Sequence, residues 1–250
     1  FHMQKMGNRQ FTLQTDYDPY GRMLSMTYPD AKKVEYRYYP SGALLREVKM
    51  GNETLAVYET YSALAKPVLY EYGNGVVVKN TFFASNERIA DHSVFGPTGV
   101  EIQGFSYRFD DYGNVRFVEN RILKSKRRFA YDDLNRLVEW EKWGSGNPNG
   151  QKERFAYDAI GNILEKEGVQ YAYEAGRPYV LAKFGAQIIE HDPNGNQTKG
   201  LNGKRYVYDA MDRLVQVIGQ NNIVLASYLY DASNGRIQKT TPTGGTTIYI

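Results

Sequence analysis

Three histidines, His2, His92 and His191, are the only imidazoles in the 250 residues, and there is no cysteine. Without Cys there is no thiol nucleophile, no disulfide and no thiolate metal ligand. The histidines lack the His-x3-His or His-Glu-x-x-His spacing that sets two imidazoles on one helix face, so no zinc site is expected. Neither a Gly-x-Ser-x-Gly elbow nor a Gly-x4-Gly-Lys-Ser/Thr phosphate loop occurs. The adjacent carboxylates Asp110-Asp111 and Asp132-Asp133 are the best material for acid–base work. A glycosidase would hold two such groups roughly 5–10 Å apart across a cleft. Both pairs, however, begin Asp-x-x-Gly or Asp-x-x-Asn sequences, and a turn accounts for the first Asp of each. The basic run Lys124-Ser125-Lys126-Arg127-Arg128 leads into Phe129 and Tyr131 and is expected to be a solvated hairpin end, where Lys discourages edge pairing. Trp140 and Trp143 stand an odd number apart, so one strand would face them to opposite sides and deny a ligand a shared stacking platform. No catalytic residue, metal ligand or cofactor is expected, and the chain is read as a non-enzyme.

Composition narrows the alternatives. Lys and Arg total 31 against 28 Asp and Glu, a formal charge of +3 with no long block of one sign, which argues against a dedicated nucleic-acid binder. Aliphatic runs such as Val76-Val77-Val78 are short, so no helical membrane span is expected. Phe1-His2-Met3-Gln4-Lys5 has no basic segment followed by an apolar one, so no signal peptide is expected there. Tyr, at 22, is twice as frequent as Phe, at 11, and the 24 Gly outnumber the 9 Pro. Tyr and Gly together point to β-structure with many turns.

The elements that must position these residues show themselves as a repeat. Tyr17-Asp18-Pro19-Tyr20-Gly21-Arg22 recurs as Phe109-Asp110-Asp111-Tyr112-Gly113-Asn114 and Tyr157-Asp158-Ala159-Ile160-Gly161-Asn162. Looser copies begin at Tyr38, Tyr131, His191, Tyr208 and Tyr230, and degenerate ones at Tyr70 and Tyr171. The template is aromatic, Asp, two free positions, Gly, then Arg or Asn. Asp bonds the backbone two residues on, Pro pre-sets φ, and Gly accepts positive φ, so these are type I turn sequences. The expected turn residues are Tyr17, Asp18, Gly21, Asp110, Gly113, Tyr131, Asp132, Asn135, Tyr157, Asp158, Gly161, Asp192, Gly195, Tyr208, Asp209, Tyr230, Asp231 and Gly235. Where Gly is replaced, the substitutes are Asn135 and Asp212, which tolerate the left-handed region best.

Aromatics alternate before each turn, as in Val34, Tyr36, Tyr38 and Phe105, Tyr107, Phe109, the period of a half-buried strand. A second strand follows each turn, so the chain is a series of β-hairpins. The anchors fall near 17, 38, 70, 109, 131, 157, 191, 208 and 230. Irregular steps suggest wide connections at 46–69, 79–104 and 142–153, and Leu55 to Leu64 is the best candidate for a helix. Hairpins this short must pair edge to edge. The expected fold is all-β, one antiparallel array over 1–250.

The Tyr-Asp-x-x-Gly-Arg unit, repeated about every 20 residues from about Phe11 onward, resembles the YD-repeat or Rhs family of bacterial secreted proteins. Thr27-Tyr28-Pro29-Asp30 and Tyr72-Gly73-Asn74-Gly75-Val76-Val77 look particularly like toxin-complex B/C subunits. Teneurins share the repeat but are Cys-bearing, and zero Cys favours a bacterial chain. The resemblance implies a spiral β-sheet forming part of a hollow shell, which encloses a C-terminal toxin domain and helps deliver it, outside the cell. Partners are then the remaining shell repeats, the enclosed toxin and, for the segment alone, other copies through free sheet edges. Members that release a toxin carry an aspartyl autoprotease with an Asp-Pro-x-Gly-type motif after the last repeats. His191-Asp192-Pro193-Asn194-Gly195 has those letters but stands mid-array, where an ordinary turn is expected, and the chain is read as a segment of a larger protein. The alternative function is a carbohydrate-binding or adhesion module, since Tyr-rich strands flanked by Asn, Arg and Lys suit glycan stacking.

Overall fold

Alternating aromatic and β-branched residues satisfy their backbone groups most simply by pairing with the next strand along the chain. The computed structural model describes residues 2–6, 9–145 and 147–249 and is built in this way throughout. It divides into two compact units, Phe1–Lys152 and Glu153–Ile250. The first unit contains β1 (His2–Met6), β2 (Arg9–Tyr17), β3 (Met23–Thr27), β4 (Lys33–Tyr38), β5 (Leu45–Met50), β6 (Glu53–Tyr61) and β7 (Pro67–Tyr72). It continues with β8 (Val77–Phe82), β9 (Ile89–Phe95), β10 (Glu101–Phe109), β11 (Val115–Asn120), β12 (Ser125–Tyr131) and β13 (Leu137–Gly144). Each strand pairs antiparallel with its successor.

The second unit follows the same rule. The end of β14 (Asn147–Tyr157) pairs with β15 (Ile163–Lys166), which is followed by β16 (Val169–Glu174), β17 (Arg177–Phe184) and β18 (Gln187–Ile188). A seven-stranded sheet in sequence order comes next: β19 (Glu190–His191), β20 (Gln197–Lys199), β21 (Arg205–Tyr208), β22 (Leu214–Ile218), β23 (Val224–Tyr230), β24 (Arg236–Thr241) and β25 (Gly245–Ile248). Two single 3-10 turns, Leu201–Gly203 and Gln220–Asn222, are the only helical pieces among the described residues. No helix is long and apolar enough to cross a membrane. The all-β array of hairpins expected from the repeat is what the chain forms.

Burial is thin. Among the described residues the buried apolar side chains are Val34, Ala56, Val78, Ile189 and Ala226, and no large side chain is fully enclosed. In the first unit these small residues sit in cross-strand rows: Val34 between Met26 and Met50, Ala56 between Val48 and Tyr72, Val78 between Tyr70 and Val94. Their larger neighbours carpet one sheet face. Tyr58 stacks on Tyr70 at 5.3 Å and on Tyr61 at 6.2 Å, and Tyr39 meets Tyr61 edge-on at 6.5 Å. Such aromatic pairs add about 0.5–1.5 kcal/mol each beyond area burial.

Four expectations need correction. Leu55 to Leu64 is not helical but lies mostly in β6, because Tyr58 and Val57 find cross-strand partners in Tyr70 and Glu71. The three wide connections do not exist; β5 to β7, β8 to β10 and β13 to β14 fill them with strands of ordinary length. Tyr70 is no anchor, since it lies inside β7 between Tyr58 and Val78. Gly235 does not take the left-handed position; Asn234 does, at φ 66°, and Gly235 occupies the place held elsewhere by Arg or Asn.

Alternate connections of a meander fall on the same rim. In the first unit the rim turns follow Tyr17, Tyr38, Tyr61, Phe82, Phe109 and Tyr131, at steps of 21, 23, 21, 27 and 22 residues. The repeat is therefore more regular than its letters. Gly161 is at φ +96°, and an added Cβ there would meet nothing within 4 Å, so Gly161→Ala isolates the backbone term. It should cost roughly 1–2 kcal/mol, a melting temperature lower by roughly 2–8 °C in a thermal melt, whereas Ala31→Gly, at φ 64°, should raise it slightly.

Candidate functional site

The rim turns are the most ordered chemical feature of the chain. At the first, Gly21 N donates to Asp18 O at 3.0 Å and Asp18 N to Arg22 O at 2.9 Å, with Gly21 at φ 79° and Tyr17 paired to Met23. This is a three-residue hairpin loop with a bulge at the left-handed residue. Asp18 holds it from inside: Oδ1 accepts Tyr20 N and Arg22 N, both at 2.9 Å, and Oδ2 accepts Arg22 Nε at 2.6 Å. Asp132 repeats the set with Leu134 N, Arg136 N and Arg136 Nε at 3.0, 2.9 and 2.7 Å, and Asp209 with Met211 N, Arg213 N and Arg213 Nε at 2.9, 3.0 and 2.8 Å. At Asp110, Asp158 and Asp192 the side chains of Asn114, Asn162 and Asn196 stand in for the guanidinium at 3.1, 2.8 and 3.1 Å. Asp231 accepts Ser233 N and Gly235 N, both at 2.8 Å, with no side chain at 235 to complete the set.

These bonds fix the charge of the carboxylates. Burial opposes ionisation of Asp18, Asp110, Asp158, Asp192 and Asp209, but hydrogen bonds from the turn outweigh it and hold each below the ordinary value of 3.8. For Asp132 the backbone hydrogen bond from Arg136 is itself the largest influence and acts in the same direction.

The aromatic and the arginine of the template face the neighbouring repeat. Tyr38 Oη donates to Met23 O at 2.8 Å, Tyr131 Oη to Val115 O at 2.9 Å, Tyr173 Oη to Ile163 O at 3.0 Å and Tyr230 Oη to Leu214 O at 2.8 Å. Each acceptor is the first residue of the strand leaving the preceding rim turn. Phe cannot make this bond, which gives the excess of Tyr a structural cause. The guanidinium of Arg22 lies 4.8 Å from the ring centre of Tyr38 and donates through Nη1 to Gly42 O at 2.6 Å. Arg213 lies 5.1 Å from Tyr230 and bonds Asp231 O at 3.2 Å. One arginine thus closes its own turn, covers the next anchor ring and ties the next turn.

Two units hidden in the sequence emerge here. In Tyr61-Ser62-Ala63-Leu64-Ala65-Lys66 the Ser62 hydroxyl takes the Asp role, accepting Leu64 N and Lys66 N at 3.3 Å, Ala65 stands at φ 61°, and Lys66 Nζ reaches Glu87 O. In Phe83 to Arg88, Glu87 is at φ 51° and Arg88 lies 5.6 Å from the Phe109 ring. In the second unit the degenerate copy centres on Tyr173 rather than Tyr171, and Glu174 replaces Asp, taking Arg177 Nε at 2.8 Å. The only sequence signal for them is an aromatic followed five residues later by a cation, or four in the case of Tyr173.

The groups with chemical promise do not converge. Asp192 serves an ordinary turn, and the imidazole of His191 fills the anchor position, its Nδ1 lacking a hydrogen bond and 3.8 Å from Glu174 Oε1. Lys126 and Arg128 face Glu119 and Glu141 on adjacent strands at 3.6 and 2.8 Å. Trp143 packs on Phe117 at 6.2 Å, while Trp140 is paired with Phe129. Among the described residues no three His, Asp or Glu are grouped to hold a metal ion. What the rim does is mechanical, locking each hairpin to the next.

This arrangement matches solved toxin-complex structures. Against TcdB2-TccC3 the TM-score is 0.81 over 97% of this chain at 16% identity. The chain shares that fold. Against TcdB2-TccC3 without its hypervariable C-terminal region the TM-score is 0.79 over 97% of this chain at 17% identity, and against the Photorhabdus luminescens Tc holotoxin pore it is 0.77 over 96% at 16%. The match takes up 15%, 14% and 14% of those chains. No family model and no curated protein matches this chain.

The ladder makes two measurable statements. Tyr131→Phe removes one inter-repeat hydrogen bond and should cost about 1 kcal/mol, lowering the melting temperature by about 2–4 °C without changing the circular dichroism spectrum. The six depressed aspartates contribute stability that is present above 3.8 and lost as pH falls through their lower folded values. Tyr61 acts at the other end: burial, then Tyr58 and Tyr39, push it up to about 12, so its stabilisation is complete below 10.0 and lost above it. Melting temperature against pH should therefore show a plateau with an acid limb beginning near 3.8 and an alkaline limb between 10.0 and about 12.

Proposed function

We propose that the chain is a non-catalytic wall segment of a bacterial secreted YD-repeat protein, part of a spiral β-shell that encloses a C-terminal toxin domain and helps deliver it. The observation that carries this reading is the rim ladder. A wall needs hairpins joined to their neighbours without a solid core behind them, and Asp–Arg–Tyr joints supply that locally, one repeat at a time. The likeness in fold to the TcdB2-TccC3 chains supports it, as does the hypervariable C-terminal region that one of those chains is described as lacking. The shell repeats beyond this segment are its partners on this reading, and a match that takes up 14% of the solved chain leaves room for them. β25 pairs only with β24 among the described residues, an edge that a further repeat or a second copy would cover. The carbohydrate-binding alternative is less favoured, because Tyr38, Tyr131 and Tyr230 spend their hydroxyls on backbone carbonyls and the tryptophans share no face.

The test is protection. When the reading frame that contains this segment is expressed whole, limited proteolysis should spare the non-repeat region while the repeats remain folded, and digest it once they are melted. Equal digestion of that region inside the whole protein and on its own would overturn the proposal.

A further inference from the structure

Between the Asp110 and Asp132 turns the rim opens into a cavity of about 700 Å3. Its place in the ladder explains it. In the arginine units a guanidinium covers the next anchor ring, at 4.8 Å for Arg22 on Tyr38, 5.6 Å for Arg88 on Phe109 and 5.1 Å for Arg213 on Tyr230. Here the residue is Asn114, whose Nδ2 donates to Asp110 Oδ2 at 3.1 Å and Asn135 Oδ1 at 2.8 Å and reaches no further. Among the described residues no cation lies over the Tyr131 ring, which lines the cavity. The opening lies between one turn aspartate and the next anchor ring, as the guanidinium does elsewhere.

A second, independent observation concerns the residue after the turn Asp. It is Pro19, Ala159, Pro193, Ala210 and Ala232 in other units, but Asp111 and Asp133 in the two turns that flank this cavity. Both of these carboxylates line it, and their side chains make no hydrogen bond or ion pair with the described residues. Of the other two lining carboxylates, Asp132 is paired with Arg136 at 2.7 Å and Asp110 is held by Asn114, and Arg116 is the one cation among the lining residues. Tyr112 stands at the lip, 81% exposed.

We infer that this cavity binds an arginine side chain presented by another polypeptide, in the place that Arg22 and Arg213 fill in their own units. A planar guanidinium stacks on Tyr131 while its fork engages Asp111 and Asp133; a compact ammonium does only the second. The two unpaired carboxylates, Asp111 and Asp133, repel a ligand that carries a carboxylate of its own, so an amide-linked arginine is favoured over the free amino acid. The inference stands whether or not the chain is a shell wall.

Isothermal titration of the 250-residue chain with N-acetyl-arginine amide, its citrulline counterpart and free arginine tests it. The expected result is saturable binding of the first, with the other two weaker by roughly tenfold or more. Asp111→Asn with Asp133→Asn spares the turn bonds and should weaken binding by at least about tenfold at an unchanged melting temperature, and Asn114→Arg should abolish binding by filling the cavity from within. Should Asn114→Arg not fold, the double variant decides. No saturable binding, equal binding of citrulline, equal or tighter binding of free arginine, or undiminished binding by either variant would overturn the assignment.

Discussion

Everything in this chain depends on a joint between consecutive hairpins. An aspartate closes its turn by accepting two backbone N–H groups and the side chain that follows; that side chain then crosses to the next turn, and the tyrosine of the next repeat reaches back to a carbonyl of the first strand. The three contacts share residues, but the tyrosine bond also forms where Asn stands for the arginine, as at Tyr131 and Tyr173. Charge-assisted bonds of this kind are about twice as strong as neutral ones, and the ring beneath the guanidinium adds to them. Because the partners of the Asp, Arg and Tyr side chains are mostly backbone atoms, the joint constrains the two free turn positions little, and these vary from Pro19-Tyr20 to Ala232-Ser233.

A joint of this kind substitutes for a core. Among the described residues few side chains are buried, and those that are, such as Ala56 and Val78, are small, so they form no large apolar interior. Stability is correspondingly local, distributed along neighbouring strands as in other repeat proteins. The order of the strands follows the order of the sequence because each hairpin needs only its predecessor. Exposed apolar residues at the turn tips, Leu64, Tyr112, Leu134 and Met211, are available for contact with other surfaces.

The joint also tolerates substitution in a graded way. Asn114, Asn162 and Asn196 keep the turn bond but shorten the reach; Ser62 with Lys66 keeps the reach but weakens the turn bond; Gly235 gives up the side chain altogether. Beside Asn114 the substitution is accompanied by a cavity, bordered by Asp111 and Asp133, carboxylates that no turn requires. Variation at the joint is therefore a means of placing recognition chemistry on an otherwise uniform rim.

Much of this was written in the residues themselves. The Asp-x-x-Gly letters determine turns, because Asp caps the backbone and Gly or Asn accepts positive φ, and aromatic alternation determines strands, because a pleated strand repeats every two residues. Together they are sufficient for an all-β hairpin array and for the absence of a recognisable catalytic motif. What the letters did not disclose were the joints made by unlike residues. Ser62 and Glu174 perform the aspartate's part, and Tyr70 imitates an anchor without being one, since a hydrogen-bond acceptor is chosen by position in space rather than by name. The role of Arg and Tyr as ties to the next repeat, the shift from Gly235 to Asn234, and the opening beside Tyr131 were likewise decided only when strand pairing brought residues some 16 to 22 positions apart into contact. Local preference sets a turn, but register sets which turn it touches.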